Sequence, residues 1–247
     1  YNTVDSIVVG QYIGDTALAA VGTAGPILNL LLVLFMGIAT GASILSAQYF
    51  GAHDRQHLSR VVGASILLTV SSSILMGFVG FFSSPWVMSL VNPPADVLDG
   101  AVIYLQIIFI GILGTATYNI LAGVLRGLGD SLMPLVSLLV ASLLNIVLDI
   151  VFVRDLRMGV AGVAWATIIA QAISGTMCLV RLCRMQQVVD VNKETLRPDW
   201  PIIGRLCKLG VPAGITQAIF SLSAIVVQGL TNSMGTAVIA TSVAVMR

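Results

Sequence analysis

The sequence predicts an all-α, polytopic transmembrane helical bundle. Of its 247 residues 57% are hydrophobic and only 9% charged, and the mean hydropathy is +0.99, whereas a soluble domain carries charge on about a quarter of its residues. The apolar residues gather into long stretches separated by polar turns, and about 20 apolar residues suffice for a helix to cross a bilayer. No basic patch suggests nucleic acid, so the expected surroundings are lipid and the expected partners small molecules.

In chain order, residues 1 to about 10 form a first span that is cut at its start. Asn2 and Asp5 lie where a signal peptide would need its apolar core, which excludes that reading. A turn at 10–15 leads to a second span, 16 to about 49, which Gly22, Gly25 and Pro26 allow to bend. After a polar loop at 51–57, a third span covers about 58–82; Pro85, Trp86, Pro93 and Pro94 then mark an interfacial connection. The fourth span is about 97–125. Residues 126–131 make a tight turn whose Asp130 or Ser131 caps the fifth span, with Pro134 tolerated in its first turn. Its glycines are too few and wrongly placed for a phosphate-binding loop. The fifth span runs to about 153, a turn covers 154–158, and the sixth span is about 159–183. A polar linker, 184–199, precedes a short amphipathic surface helix at 200–208 and a seventh span from 211 to about 234.

Lys and Arg are divided unequally between the two ends of these spans. Arg55, Arg60, Arg126, Arg181, Arg184, Lys193, Arg197, Arg205 and Lys208 fall at one end, and only Arg154 and Arg157 at the other. Short basic loops stay in the cytoplasm, which places the amino terminus inside and the turn at 154–158 outside. A bacterial-type inner membrane is the expected location.

The fifth span carries the most informative pair. Asn145 and Asp149 sit four residues apart, one helical turn, in an otherwise apolar helix. An ionisable group at membrane depth is costly unless it faces protein or water, so it marks an ion, proton or substrate path; interhelical hydrogen bonding is the competing role. Counting from the outer turns, Asp149 is five residues deep, Thr167 eight and Asp5 nine, all roughly 7–14 Å below the outer surface at 1.5 Å per residue. Two carboxylates, an amide and a hydroxyl at one level suit a hard cation such as Na⁺, or a proton shared by the carboxylates. Residues 13–20 also resemble 234–241, as if the seventh span restarts a six-helix unit; parallel repeats of this kind occur in secondary transporters.

Taken together, several segments resemble the multidrug and toxic compound extrusion (MATE) family of cation-coupled antiporters. They are Tyr1-Asn2-Thr3-Val4-Asp5 with Val8-Val9-Gly10, the Gly14–Gly22 stretch, Gln48-Tyr49-Phe50-Gly51-Ala52, Leu125–Ser131 with Pro134, the Asn145/Asp149 helix and Gly210-Val211-Pro212. The resemblance implies two six-helix lobes around a cavity for amphiphilic cationic drugs, with a monomer as the working unit. It implies 1–183 as the amino-terminal lobe, 184–208 as linker and interfacial helix, and 209–247 as an incomplete start of the second lobe. It further implies that Asp5, Asn145, Asp149 and Thr167 bind the coupling Na⁺ or H⁺, as metal ligands if the ion is Na⁺, and that no other cofactor is needed. The start of the first helix and any carboxylates of the second lobe are absent from this sequence.

Secondary candidates carry competing roles. Tyr104 is at a depth from which it could hydrogen-bond the carboxylates, or it is an interfacial aromatic. Asn119 lies nearer the inner end as helix glue or a ligand, while Gln217, Gln228 and Asn232 line the cavity or bond between helices. His53 and His57 read as a solvated loop rather than a metal site. Cys178, Cys183 and Cys207 lack paired spacing and read as reduced and incidental. The expected function is export of drugs in exchange for Na⁺ or H⁺. A lipid-linked oligosaccharide flippase would favour Lys or Arg at depth to hold a pyrophosphate, and the spans carry none there. An intramembrane enzyme would need a Ser–His pair or a metal-ligand cluster, and no His lies in a span.

Overall fold

The structure is a computed structural model describing residues 9–91, 94–190, 192, 195 and 197–233, except the side chains of 221, 222 and 224–233. Asp5, the side chains of Gln228 and Asn232, and the 234–241 half of the repeat lie outside the described residues. A helical segment at 9–12 turns at Gly14, whose φ is +113°. The helices that follow are α1 (Asp15–Gly51), α2 (Arg55–Val91), α3 (Ala95–Ile110), α4 (Ile112–Gly127), α5 (Leu132–Ile150), α6 (Gly159–Arg184) and α7 (Trp200–Ser233). Among the described residues there is no strand.

The chain is a multi-pass membrane protein. Helices α1, α2, α6 and α5 with its extension are long and apolar enough to cross a bilayer, and α3 with α4 makes a bent fifth span. Two of them, α5 and α2, have a polarity inverted relative to a water-soluble bundle. Helix α5 buries Pro134, Ser137, Ala141, Asn145 and Asp149 while exposing Leu132, Leu135, Leu139, Leu143 and Val147. Helix α2 buries Ser65, Thr69, Ser73, Gly80 and Ser84 and exposes Ile74, Phe78, Phe82 and Trp86. Lipid tails are as apolar as leucine, so burying leucine gains little; on these two helices small residues that let backbones approach occupy the interior, while α3, α4 and α6 also bury Leu105, Leu121, Leu125 and Leu182. The hydroxyls of Ser65, Thr69 and Ser84 donate to carbonyls one turn back at 2.7, 2.7 and 2.6 Å, so they remain satisfied without water.

Four details depart from the sequence expectation. The fourth span is broken at Gly111, where α3 and α4 bend by 52°; a Cβ there would collide with Ile168 of α6, so glycine admits α6 at the elbow. The third span continues through Pro85 to Val91, although the proline deprives Phe81 O of its partner one turn on; the Ser83 and Ser84 hydroxyls bond Gly80 O in the same turn. The surface helix expected at 200–208 is not separate, since α7 runs unbroken for 34 residues through Pro212. Asp199 starts it, its Oδ1 accepting from the Ile202 N–H at 3.2 Å. The fifth span, finally, does not turn at 154 but widens into one π-helical turn, Val151–Asp155.

Helix α1 is the central element, packed against α7 and α4; α4 packs on α6, and α5 almost entirely on α6. Glycine makes the closest approaches. A Cβ at Gly37 would stand 2.7 Å from Gly210 O, and one at Gly41 2.6 Å from Leu206 O, so α1 and α7 cross backbone to backbone. Gly123 and Gly127 of α4 meet Ala39 and Ser43 on another side of α1 in the same way.

The end of the bundle that bears most Lys and Arg is held by polar bonds. Arg55 Nη2 reaches Asp190 Oδ1 at 2.6 Å and Gln186 O at 2.5 Å, Arg60 lies 3.6 Å from Asp199, and Arg205 Nη1 donates to Tyr49 Oη at 2.8 Å. These bonds lash the 184–199 linker and the start of α7 to the α1–α2 loop. In that loop Asp54 accepts from the His57 backbone N–H at 3.1 Å and pairs with its ring at 2.7 Å. The backbone bond chiefly holds the Asp54 carboxyl below its ordinary range. The His57 ring also stacks on Tyr49, so this histidine is a structural member of the loop. All three cysteines are free.

Of the two capping candidates at the turn into α5, Asp130 makes the bond, accepting from the Met133 N–H at 3.1 Å and from Arg181 Nε at 2.7 Å. Burial alone would push its carboxyl up, but Arg181 and the Met133 N–H outweigh that and hold it below 3.8. A lowered folded value means that the stabilisation is present above the unfolded value and is lost as pH falls through the folded one. Asp130→Asn is therefore expected to lower stability at pH 7 by about 1 kcal/mol and to flatten the acid limb of the unfolding profile, read by thermal melting in detergent across pH. For the helix crossing, Gly41→Val should cost about 1–3 kcal/mol by overpacking. Gly204→Ala, on an exposed face of α7 where an added Cβ meets nothing within 4 Å, should be neutral or stabilising by roughly 0.5–1 kcal/mol.

Candidate cation and substrate site

Asn145 and Asp149 are both fully buried, at 0% exposure. They extend the inward stripe of α5 formed by Pro134, Ser137 and Ala141, and the helix has α6 as its main neighbour. The axial register of this antiparallel pair is fixed at two points. Near one end Cys178 Sγ lies 3.7 Å from Ser137 Oγ, and near the other Gly162 is pressed against Phe152, where an added Cβ would meet Phe152 Cβ at 3.1 Å. Counting inward from the two points puts Asp149 near the level of Thr167, and Asn145 near that of Gln171, each within one to two residues, or about 1.5–3 Å. The π turn begins two residues after Asp149; such turns are frequent at functional sites.

Neither polar atom of the Asn145 amide has a hydrogen-bond partner among the described residues. Leaving such groups unpaired in an apolar interior costs about 1–3 kcal/mol each, and an orphaned amide oxygen beside a buried carboxylate suits a cation supplied from outside the fold. The Thr167 hydroxyl donates to Val163 O at 2.9 Å on its own helix, leaving its lone pairs available. Among the described residues no group of three or more His, Cys, Asp or Glu could hold a metal ion. What this level of the bundle offers is oxygen from one carboxylate, one amide and one hydroxyl.

Beside it lies a cavity of about 450 Å³ between α1, α3, α4 and α6. Thr167 and Tyr104 line it together with Asn29, Thr115 and Gln171, on walls that include Leu28, Leu32, Phe35, Ile108 and Ile112. Tyr104 is 2% exposed, an interior residue rather than a headgroup-level aromatic. Asn119 is not part of the lining; its Nδ2 donates to Thr115 O at 2.8 Å within α4, so it joins neither the cavity nor a neighbouring helix through that bond. Gln217 is exposed on α7 and does not line this cavity. Sequence reasoning missed Gln171, although the signal was present: it follows Thr167 by one helical turn in an apolar run, as Asp149 follows Asn145.

The chain is thus a bundle of membrane-spanning helices with a buried carboxylate and amide next to a mostly apolar cavity that carries a few polar groups. The chain belongs to the MatE family, whose model matches residues 1–151. It is 32% identical over 247 residues to the probable multidrug resistance protein YpnP of Bacillus subtilis (strain 168), covering 100% of this chain and 55% of that protein. Among solved structures it superposes on MATE in the bent conformation with a TM-score of 0.88 at 24% identity, covering 95% of this chain and 52% of the other. An inward-facing multidrug resistance MATE family transporter of the MOP superfamily gives a TM-score of 0.83 at 26% identity, covering 88% and 49%. The chain thus spans about half the length of the relatives it matches.

If the Asn145 amide is retained for ligand binding rather than packing, Asn145→Leu, which keeps the γ-branched outline though it is bulkier, should raise the melting temperature in detergent. Removing two orphaned polar atoms is worth roughly 1–3 kcal/mol. A marked fall in stability would show that the amide is structural.

Proposed function

We propose that this chain forms the first lobe, and the beginning of the second, of an exporter that exchanges amphiphilic, often cationic, small molecules for Na⁺ or H⁺. The observation that carries this reading is the complete burial of Asn145 and Asp149, one turn apart on a membrane-spanning helix and level with the cavity residues Gln171 and Thr167. The first lobe is 1–183, the linker region 184–208, and 209–247 the start of the second lobe. The coupling cation binds Asp5, Asn145, Asp149 and Thr167, with Tyr104 in support from the cavity side. Binding there neutralises buried charge, and it shifts the conformational equilibrium only to the extent that the two states differ in affinity. Cation and drug therefore compete or exchange in sequence. Na⁺ is favoured over H⁺ because an amide and a hydroxyl add neutral oxygens that a proton does not need.

The arrangement of Lys and Arg supports an amino terminus in the cytoplasm, and an inner-membrane location goes with the family resemblance. No Lys or Arg lines the described cavity, which speaks against a pyrophosphate-linked glycolipid as substrate. The kinship with multidrug resistance proteins and the lack of a catalytic pair at depth support transport rather than catalysis.

In the intact gene product reconstituted in vesicles, Asp149→Asn should abolish cation-driven drug efflux while preserving expression and folding. Separate Na⁺ and pH gradients identify the ion: efflux driven by Na⁺ at constant pH makes the four residues a metal site, and efflux driven only by a pH gradient makes the carboxylates a proton relay. Unchanged efflux in Asp149→Asn would remove the site from the mechanism.

A further inference from the structure

Resting on the proposed export function, we infer that Gln171 selects ligands that carry N–H donors, and that the cavity it lines takes the flat, donor-bearing part of an aromatic cation rather than its charge. Among the described residues none that lines this cavity carries a formal charge, so none of them balances a compact ammonium group. Its walls are mostly apolar, and about 450 Å³ lies in the range of pockets that enclose drug-sized molecules. The polar groups differ in how they are satisfied. The Thr167 hydroxyl bonds its own helix at Val163 O, and Asn29 is exposed. Gln171 differs from both: it is 9% exposed, and its Oε1 is buried without a hydrogen-bond partner.

A buried amide oxygen is ordinarily paired, so an unpaired one at a cavity wall is a place where a ligand supplies the missing donor. The terminal torsion of glutamine is soft and roughly two-fold, so the amide can exchange its oxygen and NH₂, presenting the oxygen to the cavity while the NH₂ takes the buried position. Aromatic amines fit this acceptor, since their N–H groups lie in the ring plane while the ring faces meet Phe35, Ile108 and Ile112. Gln171 is also level with Asn145, which places the donor contact beside the cation layer. A ligand held there sits next to the groups that the exchanging ion must leave or enter.

The test uses two dyes with the same three-ring cation: proflavine, which bears two ring NH₂ groups, and acridine orange, in which both nitrogens are dimethylated. Binding of each to the purified intact gene product is measured by fluorescence anisotropy, for wild type and for Gln171→Met, which keeps the bulk and removes the amide. Proflavine should weaken about tenfold, as expected for a lost buried hydrogen bond, and acridine orange less than about twofold, with the melting temperature unchanged or raised. Equal weakening of both dyes, or weakening of neither, overturns the inference while leaving the export reading intact. Failure of wild type to bind either dye overturns both.

Discussion

Backbone contact between helices is the constraint from which the rest of this bundle follows. In hydrocarbon, helices gain little by hiding leucines from their surroundings, so association depends on close van der Waals approach and interhelical polar bonds. Helix α1 shows both uses of the missing side chain along one axis. Its half nearest the basic end carries Gly37 and Gly41, which receive the backbone of α7, while Gly22 and Gly25 in its other half face the cavity with nothing within 4 Å of an added Cβ. One helix thus seals the bundle at one level and leaves it open at another. The elbow at Gly111 extends the same logic, since admitting Ile168 draws α6 inward and carries Thr167 and Gln171 to the cavity wall.

Much of this was legible in the sequence because membrane burial imposes strong signals. Apolar runs gave the spans, and the Asn145/Asp149 spacing identified the buried stripe of α5 before any packing was known. Depth counted from the turns placed Asp149 and Thr167 at one level, which the register of α5 against α6 reproduces. The breaks were harder to read, because proline and glycine are ambiguous inside membrane helices. Pro85 marks a boundary by propensity, yet α2 runs on through it for six more residues, while Gly111 breaks a span for reasons of packing that only α6 reveals. Asn119 shows another limit: its place near the inner end of an apolar span suggested a partner on a neighbouring helix, but an amide can bond a carbonyl one turn back on its own. Gln171 was overlooked because a lone amide in an apolar run stands out less than a carboxylate.

The polar layer also explains a tension between stability and use. Ser65, Thr69 and Ser84 close their hydrogen bonds within α2 and ask nothing of their neighbours. Asn145 and Gln171 do not, and each leaves a buried polar atom unsatisfied. A bundle under selection for rigidity alone would place leucine or alanine at both positions. The internally satisfied hydroxyls line a packed helix, whereas the unsatisfied amides stand at the level of the cavity.

The bonds at the basic end have a mechanical consequence for α7. With Arg60 holding Asp199 and Arg205 holding Tyr49, the start of this helix is moored to the α1–α2 loop. The glycine crossing with α1 extends only as far as Gly214. The remaining 19 residues of α7, about 28 Å of helix at 1.5 Å per residue, project beyond that fulcrum to Ser233. Tilting this arm by ten degrees sweeps its tip through roughly 5 Å, with the moored end almost stationary. Glycine at the fulcrum suits such a lever, because smooth backbone surfaces roll on one another where interlocked side chains would jam.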